Sequence, residues 1–261
     1  EPATSLNADY IKGLNFLLNE EPDQALEVFM RMVAVDDETL ETHFALGSLF
    51  RHRGEVDRAI RVHQNIIARP QLSDMHRLQA MVALGEDYLG AGLFDRAEQI
   101  FGELRESPEH APQALTKLVR IYEITHDWQQ AVDTYELLKK AEPESIEPGR
   151  VAQYYCELAA QARRDGDPAA AKKYLQQATL GGKATVRARL MRSDIRREAG
   201  QLRRASDLYR TVIEREPRLV GEVVPRFAES ARALDRQTAL SDTLDALRAA
   251  DPASSKSIAL A

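Results

Sequence analysis

Cysteine is almost missing from this sequence: Cys156 is the only one in 261 residues. A lone thiol excludes an internal disulfide and any cluster of thiolates around a metal, and it fits a reducing compartment. Aromatic residues are also few, at 6%, thin for a sheet-rich core. Apolar runs stop after a few residues, so no segment is expected to cross a bilayer. The chain starts at Glu1 without a signal-peptide pattern and reads as a piece of something longer. What remains is 44% apolar and 29% charged, the composition of a soluble, foldable chain. The formal charge of −6 hides a split. Residues 1–150 hold 15 Lys+Arg against 27 Asp+Glu, net −12, and residues 151–261 hold 20 against 14, net +6. Such polarity bears on partners and says little about fold.

A phrase recurs along the chain. A turn residue is followed by a polar pair, then Ala, then a bulky residue four positions on. Ala25, Ala59, Ala97, Ala131, Ala171, Ala205 and Leu240 anchor it, followed by Phe29, His63, Phe101, Tyr135, Leu175, Tyr209 and Leu244. The anchors are spaced by 34, 38, 34, 40, 34 and 35 residues. Twelve before each anchor stands a mostly small residue: Gly13, Gly47, Gly85, Val119, Ala159, Ser193 and Ala228. Phe16, Phe50, Tyr88 and Tyr122 follow three further on in the first four units. Small, large, Ala, large, Pro at a period near 34 is the tetratricopeptide (TPR) pattern.

The pattern implies an all-α fold: a solenoid of about seven helix-turn-helix repeats wound as a right-handed superhelix. The repeats fall near 6–39, 40–73, 78–111, 112–145, 152–185, 186–219 and 221–254, with 255–261 a frayed end or the start of a truncated repeat. Gly47 and Ala59 let the two helices of a hairpin approach, and Phe50 and Phe101 fill the gap to the next unit. One hairpin cannot bury its apolar face, so neighbours must stack. Turns are expected near 20–23, 53–55, 91–93, 126–127, 165–167, 199–201 and 234–236. The excesses of four and six residues should lengthen the links near 70–75 and 142–149. The second link, rich in Glu, Pro and Gly, reads as an enlarged joint in a single array spanning 1–261.

The segments "DYIKGLNFLLNEEPDQALEVF", "LGSLFRHRGEVDRAIRVHQ", "LGEDYLGAGLFDRAEQIF" and "YYCELA" resemble the lipopolysaccharide assembly protein B family of Gram-negative bacteria. The likeness is strong to about residue 160 and weaker beyond. Repeat six departs most, with Arg192, Ser193 and Arg196 where apolar, glycine and large residues are usual. The resemblance implies a parent with an amino-terminal membrane helix, a TPR array at the cytoplasmic face of the inner membrane, and a rubredoxin-like domain holding iron or zinc. No cofactor is expected in this chain. The family regulates lipopolysaccharide biosynthesis by promoting proteolysis of the deacetylase that commits material to lipid A. Implied partners are a membrane AAA+ protease, that deacetylase and other envelope-synthesis proteins, and the apolar cluster Tyr10, Leu14, Leu17 and Leu18 of the first helix adds a second copy of the chain as a candidate.

Chemistry of other kinds finds little support. The six histidines, at 43, 52, 63, 76, 110 and 126, offer no pair at zinc-protease spacing. "GGKAT" at 181–185 lacks the upstream glycine and the hydroxyl of a phosphate loop. Ser73 and Asp74 read as helix caps rather than nucleophile and base. An enzyme is not expected, nor a nucleic-acid partner. The stretch 187–218, with ten arginines and five acids, reads as a solvated helical face.

The expected site is the inner groove lined by the first helix of each unit. Its candidate partner-binding residues are Tyr10, Leu14, Leu18, Phe44, Arg51, His52, Arg120, Arg163, Arg164 and Arg197. The groove should begin apolar and become arginine-lined, suited to an acidic protein segment. The Asn that chaperone-tail clamps carry at position nine of the repeat is replaced throughout, by Leu14, Ser48, Glu86, Arg120, Ala160, Asp194 and Glu229.

Overall fold

A computed structural model describes residues 9–16, 19, 21, 24–25, 27–29, 40–145, 147, 149–180, 185–234 and 241–246. Among these, every regular element is a helix. The chain divides into two compact units, Glu1–Glu144 and Ser145–Ala261. The division falls in the Glu/Pro/Gly-rich stretch where the repeat spacing is widest. The first unit contains α1 (9–16), α2 (24–25 and 27–29), α3 (Leu40–His52), α4 (Val56–Ile67), α5 (Asp74–Gly90), α6 (Phe94–Leu104), α7 (Ala111–Thr125) and α8 (Trp128–Ala141). The second contains α9 (Arg150–Arg164), α10 (Pro168–Gln177), α11 (Val186–Glu198), α12 (Leu202–Arg215), α13 (Val220–Arg232) and α14 (241–246).

Within each unit, successive helices pack against one another, and α3 also meets α5 as α9 meets α11. That is the arrangement of a TPR solenoid: hairpins stack, and the first helices of neighbouring hairpins touch. The small positions and the alanine anchors of the repeat are buried wherever they are described. Gly13, Gly47 and Gly85 have no accessible face, and Ala25, Ala59, Ala97, Ala131, Ala171 and Ala205 are 0% exposed. The reason is close approach. A Cβ on Gly13 would lie 2.6 Å from Phe29, and one on Gly85 would lie 2.7 Å from Phe101. In the second repeat the large partner is a histidine, and a Cβ on Gly47 would lie 2.5 Å from His63 Nε2.

The corners between paired helices fall at 53–55, 91–93, 126–127, 165–167 and 199–201. The expected corners at 20–23 and 234–236 lie largely outside the described residues, as do Leu18, Leu240 and Leu247. Gly54, Gly92, Gly166 and Gly200 each turn the corner at φ between +72° and +79°, where a Cβ is penalised. His126 takes that conformation at φ 61° in the fourth repeat and stacks on Trp128, with ring centroids 5.2 Å apart.

The four extra residues before the third repeat do not lengthen the link. The irregular stretches at 68–73 and 105–110 are both six residues long. Instead α5 has 17 residues where α3 has 13, one additional turn at its start. Ser73 makes this possible: it is extended, and its side chain accepts a hydrogen bond from the His76 N–H at 3.3 Å. Once that orphan donor is satisfied, the helix begins a turn early. The expected long loop at 70–75 is therefore corrected to a longer helix.

Candidate functional site

The additional turn of α5 helps to line an opening of the first unit. A cavity of about 730 Å³ is lined by α1 through Tyr10 and Leu14, by α3 through Glu41, Phe44, Ala45, Ser48, Leu49 and His52, and by α5 through His76 and Gln79. All three are first helices of their hairpins, so this is the inner groove of the repeat. Its floor is apolar, and Leu14 remains 36% exposed there. His52 Nδ1 donates to the Ser48 carbonyl at 2.7 Å, which leaves Nε2 as the ring nitrogen for a ligand. A volume in this range, with an apolar floor and a few polar groups, is what a bound side-chain cluster requires.

Beneath this groove lies a buried ionic network. His63 and Asp87 are both fully buried, and the His63 Nδ1 is hydrogen-bonded to Asp87 Oδ2. Arg51 Nη1 donates to Asp87 Oδ1 at 2.7 Å and to the Ala83 carbonyl at 3.2 Å. Its Nη2 lies 3.1 Å from Glu86, which also accepts from Lys117 Nζ at 2.8 Å. Four helices, α3, α4, α5 and α7, are tied together by this network, and Arg51 is spent on it. Buried carboxylates require this kind of pairing. His63 Nε2 is buried without a hydrogen-bond partner among the described residues, facing the place where Gly47 has no side chain.

The same device recurs in the second unit, nearer solvent. Arg163 Nη2 pairs with Glu198 at 2.5 Å, Arg197 Nη1 with Glu229 at 2.8 Å, and Arg187 Nη1 with Glu157 at 2.5 Å. Asp194 accepts from the Tyr209 hydroxyl at 2.5 Å and from Arg226 Nη1 at 3.0 Å. Burial, reinforced by Asp194, pushes the Tyr209 phenol well above its ordinary range. Each pair spans adjacent repeats or the two helices of one.

The ten candidate residues are thus distributed over several places. Tyr10, Leu14, Phe44 and His52 meet in one cavity. Arg51 and Arg120 share a smaller one of about 310 Å³ with Glu86 and Lys117. Arg163 and Arg164 line a third, about 710 Å³, with Glu198. Arg197 stands apart on Glu229. A continuous arginine lining is not what these pairs leave: Arg51, Arg163 and Arg197 are neutralised in place, while Arg120 and Arg164 have no ion pair among the described residues. Cys156, at a groove position of the fifth repeat, is 0% exposed within a core cluster instead. Its thiol is pushed up by burial, against smaller opposing effects of Arg187 and Thr185. No three His, Cys, Asp or Glu side chains are grouped to hold a metal ion among the described residues, and none of the described helices is long and apolar enough to cross a membrane.

Tetratricopeptide-repeat profiles match residues 42–74 and 82–146, in step with the second, third and fourth repeats. The chain has the tetratricopeptide-repeat fold. A TPR protein from Parabacteroides merdae superposes with a TM-score of 0.50 at 13% identity, over 98% of both chains. A structure of MamA superposes with a TM-score of 0.51 at 18% identity, over 68% of this chain and 91% of its own. Both likenesses concern the fold. Lipopolysaccharide assembly protein B of Escherichia coli (strain K12) is 37% identical over 226 residues, 86% of this TPR chain and 57% of its own length. The protein of that name from Haemophilus influenzae is 34% identical over 232 residues, 85% of this chain and 58% of its own. The array thus spans somewhat over half the length of the curated relatives it matches, and the resemblance to their family is borne out across most of the TPR chain.

Proposed function

We propose that the chain is the protein-binding array of an adaptor in lipopolysaccharide assembly, with no catalysis of its own. By resemblance, the adaptor works at the cytoplasmic face of the inner membrane. There it regulates lipopolysaccharide biosynthesis by presenting the lipid A-committing deacetylase to a membrane AAA+ protease. One observation supports a binding role for this chain: three first helices enclose an apolar cavity of about 730 Å³ between Tyr10, Leu14, Phe44 and His52. The ligand it suits is a protein segment carrying apolar side chains. An acidic segment drawn by a row of arginines is the weaker reading, because Arg51, Arg163 and Arg197 already hold carboxylates.

The test uses the full-length parent protein, the purified deacetylase and the purified protease. Leu14→Asp charges the exposed floor, and Ser48→Arg fills the groove. Either change should weaken capture of at least one partner by about tenfold or more, as expected when an apolar anchor site is lost. It should also slow deacetylase degradation while leaving the circular dichroism unchanged. Full capture and full degradation by both folded variants would remove the groove from the reading.

A further inference from the structure

The second unit has a second kind of basic surface, on the side where α10, α11 and α12 meet. A cavity of about 290 Å³ there is lined by Lys172 from α10, Arg192 and Arg196 from α11, and Arg204 from α12. Leu175 and Ile195 give it apolar walls, and none of its described lining residues is a carboxylate. These cations differ from four other arginines of this unit. Arg163, Arg187, Arg197 and Arg226 each have an acidic partner within 3.0 Å. Among the described residues, Lys172, Arg192, Arg196 and Arg204 have none. Two of these guanidiniums instead share one neutral oxygen: Gln201 Oε1 accepts from Arg196 Nη1 at 3.0 Å and from Arg204 Nη1 at 3.5 Å.

Converging cations without a counter-charge repel, and the repulsion is relieved by an anion. Arg196 shows the strain. The residue is partly buried, and first burial, then Arg192 and Arg204, make it easier to deprotonate than an ordinary arginine. Guanidiniums present planar forks of donors that match phosphate oxygens two at a time, and a lysine adds a point charge.

We propose that Lys172, Arg192, Arg196 and Arg204 form a phosphate-binding site, independent of the groove of the first unit. The chemistry it takes is a multiply charged phosphate or diphosphate group. That group could come from a soluble phosphorylated compound or from a lipid headgroup, and the experiment separates the two.

Inorganic pyrophosphate is the probe, titrated calorimetrically into the full chain at low and at high salt. Saturable binding that weakens with salt is expected. Arg192→Gln/Arg204→Gln should reduce affinity by about tenfold or more, as loss of two charge-assisted forks requires. Arg210→Glu/Arg218→Glu changes more charge on exposed arginines outside the cavity and should leave affinity within about twofold, the range of a screened surface effect. Gln201→Glu is the second variant. It places a carboxylate where the two guanidiniums converge, so it should abolish pyrophosphate binding while raising the melting temperature without ligand. Flotation with vesicles of phosphatidylglycerol in phosphatidylcholine then assigns the source. Flotation that pyrophosphate and Gln201→Glu both abolish means a lipid headgroup, and pyrophosphate binding without flotation means a soluble compound. Absence of saturable pyrophosphate binding, or equal loss in the Arg210→Glu/Arg218→Glu control, would overturn the site.

Discussion

Gly85 to alanine is a small change with a calculable outcome. Gly85 lies within α5, and a Cβ there would stand 2.7 Å from Phe101 Cζ, 3.0 Å from Cε2 and 3.1 Å from Ile100 Cγ2. Carbon atoms in contact prefer roughly 3.5–4.0 Å. Phe101 is 0% exposed on α6, so it cannot swing aside without displacing the rest of the core. Overpacking of this kind costs about 1–3 kcal/mol. Alanine returns about 1 kcal/mol through its better helix propensity. Gly85→Ala should therefore lose up to about 2 kcal/mol of stability. Gly102 is the internal control. It lies in the last turn of α6 with nothing within 4 Å of its Cβ, so Gly102→Ala should gain about 0.5–1 kcal/mol. Trp128, the sole tryptophan, sits in the first unit and reports its urea unfolding by fluorescence. Gly85→Ala shifted in the same direction as Gly102→Ala would refute the close-approach argument. Shortening the neighbour in Gly85→Ala/Phe101→Leu should show a favourable coupling between the two sites.

Asp87→Ala leaves His63 buried without its partner and should cost about 3–5 kcal/mol, the range for breaking a buried ionic contact; His63→Phe/Asp87→Leu should recover much of that in the same urea titration, because Phe29 and Phe101 serve at the equivalent place. Burial first, and the acceptor Glu98 second, push the Tyr122 phenol from 10.0 up to about 12. The folded chain then holds this proton more tightly than the unfolded one, so the contribution is fully present below pH 10 and is lost as pH climbs towards 12. Ultraviolet titration should show a late phenol that disappears in Tyr122→Phe, and a phenol titrating with the exposed tyrosines would contradict the burial. Cys156, wholly buried with its thiol pushed up, should resist an aromatic disulfide reagent in the native chain and react promptly in urea; rapid native labelling would mean that the core of the second unit opens readily.

The repeat was legible because each structural position is fixed by a contact within one hairpin. Gly85 and Phe101 are 16 residues apart, and the small-large-Ala-large spacing records their meeting directly. The additional turn of α5 was not legible from spacing, since four more residues fit a link or a helix equally well. Ser73 carried the missing signal, as a cap followed at once by helix-forming residues, and with it His76 enters the groove. The fate of the arginines was hidden for another reason. Arg51 meets Asp87, Arg163 meets Glu198 and Arg197 meets Glu229 across separations of 36, 35 and 32 residues, about one repeat. Opposite charges recurring at the repeat period are a readable sign of such pairs, and reading arginines alone, unit by unit, passes over it. The open cluster at Lys172, Arg192, Arg196 and Arg204 joins three helices, and the count of ten arginines against five acids does not distinguish paired from unpaired ones.

The two grades of charge pairing between neighbouring hairpins have a mechanical consequence. A stack of repeats flexes like a spring, and its stiffness lies in the contacts from each coil to the next. In the first unit that contact runs through Asp87, sealed from solvent, so added salt leaves its stiffness nearly unchanged. In the second unit it runs through Glu198 and Glu229, whose side chains are 48% and 66% exposed, where ions from solution compete directly. Rising ionic strength should therefore slacken the second spring more than the first, letting its coils splay and re-close more readily.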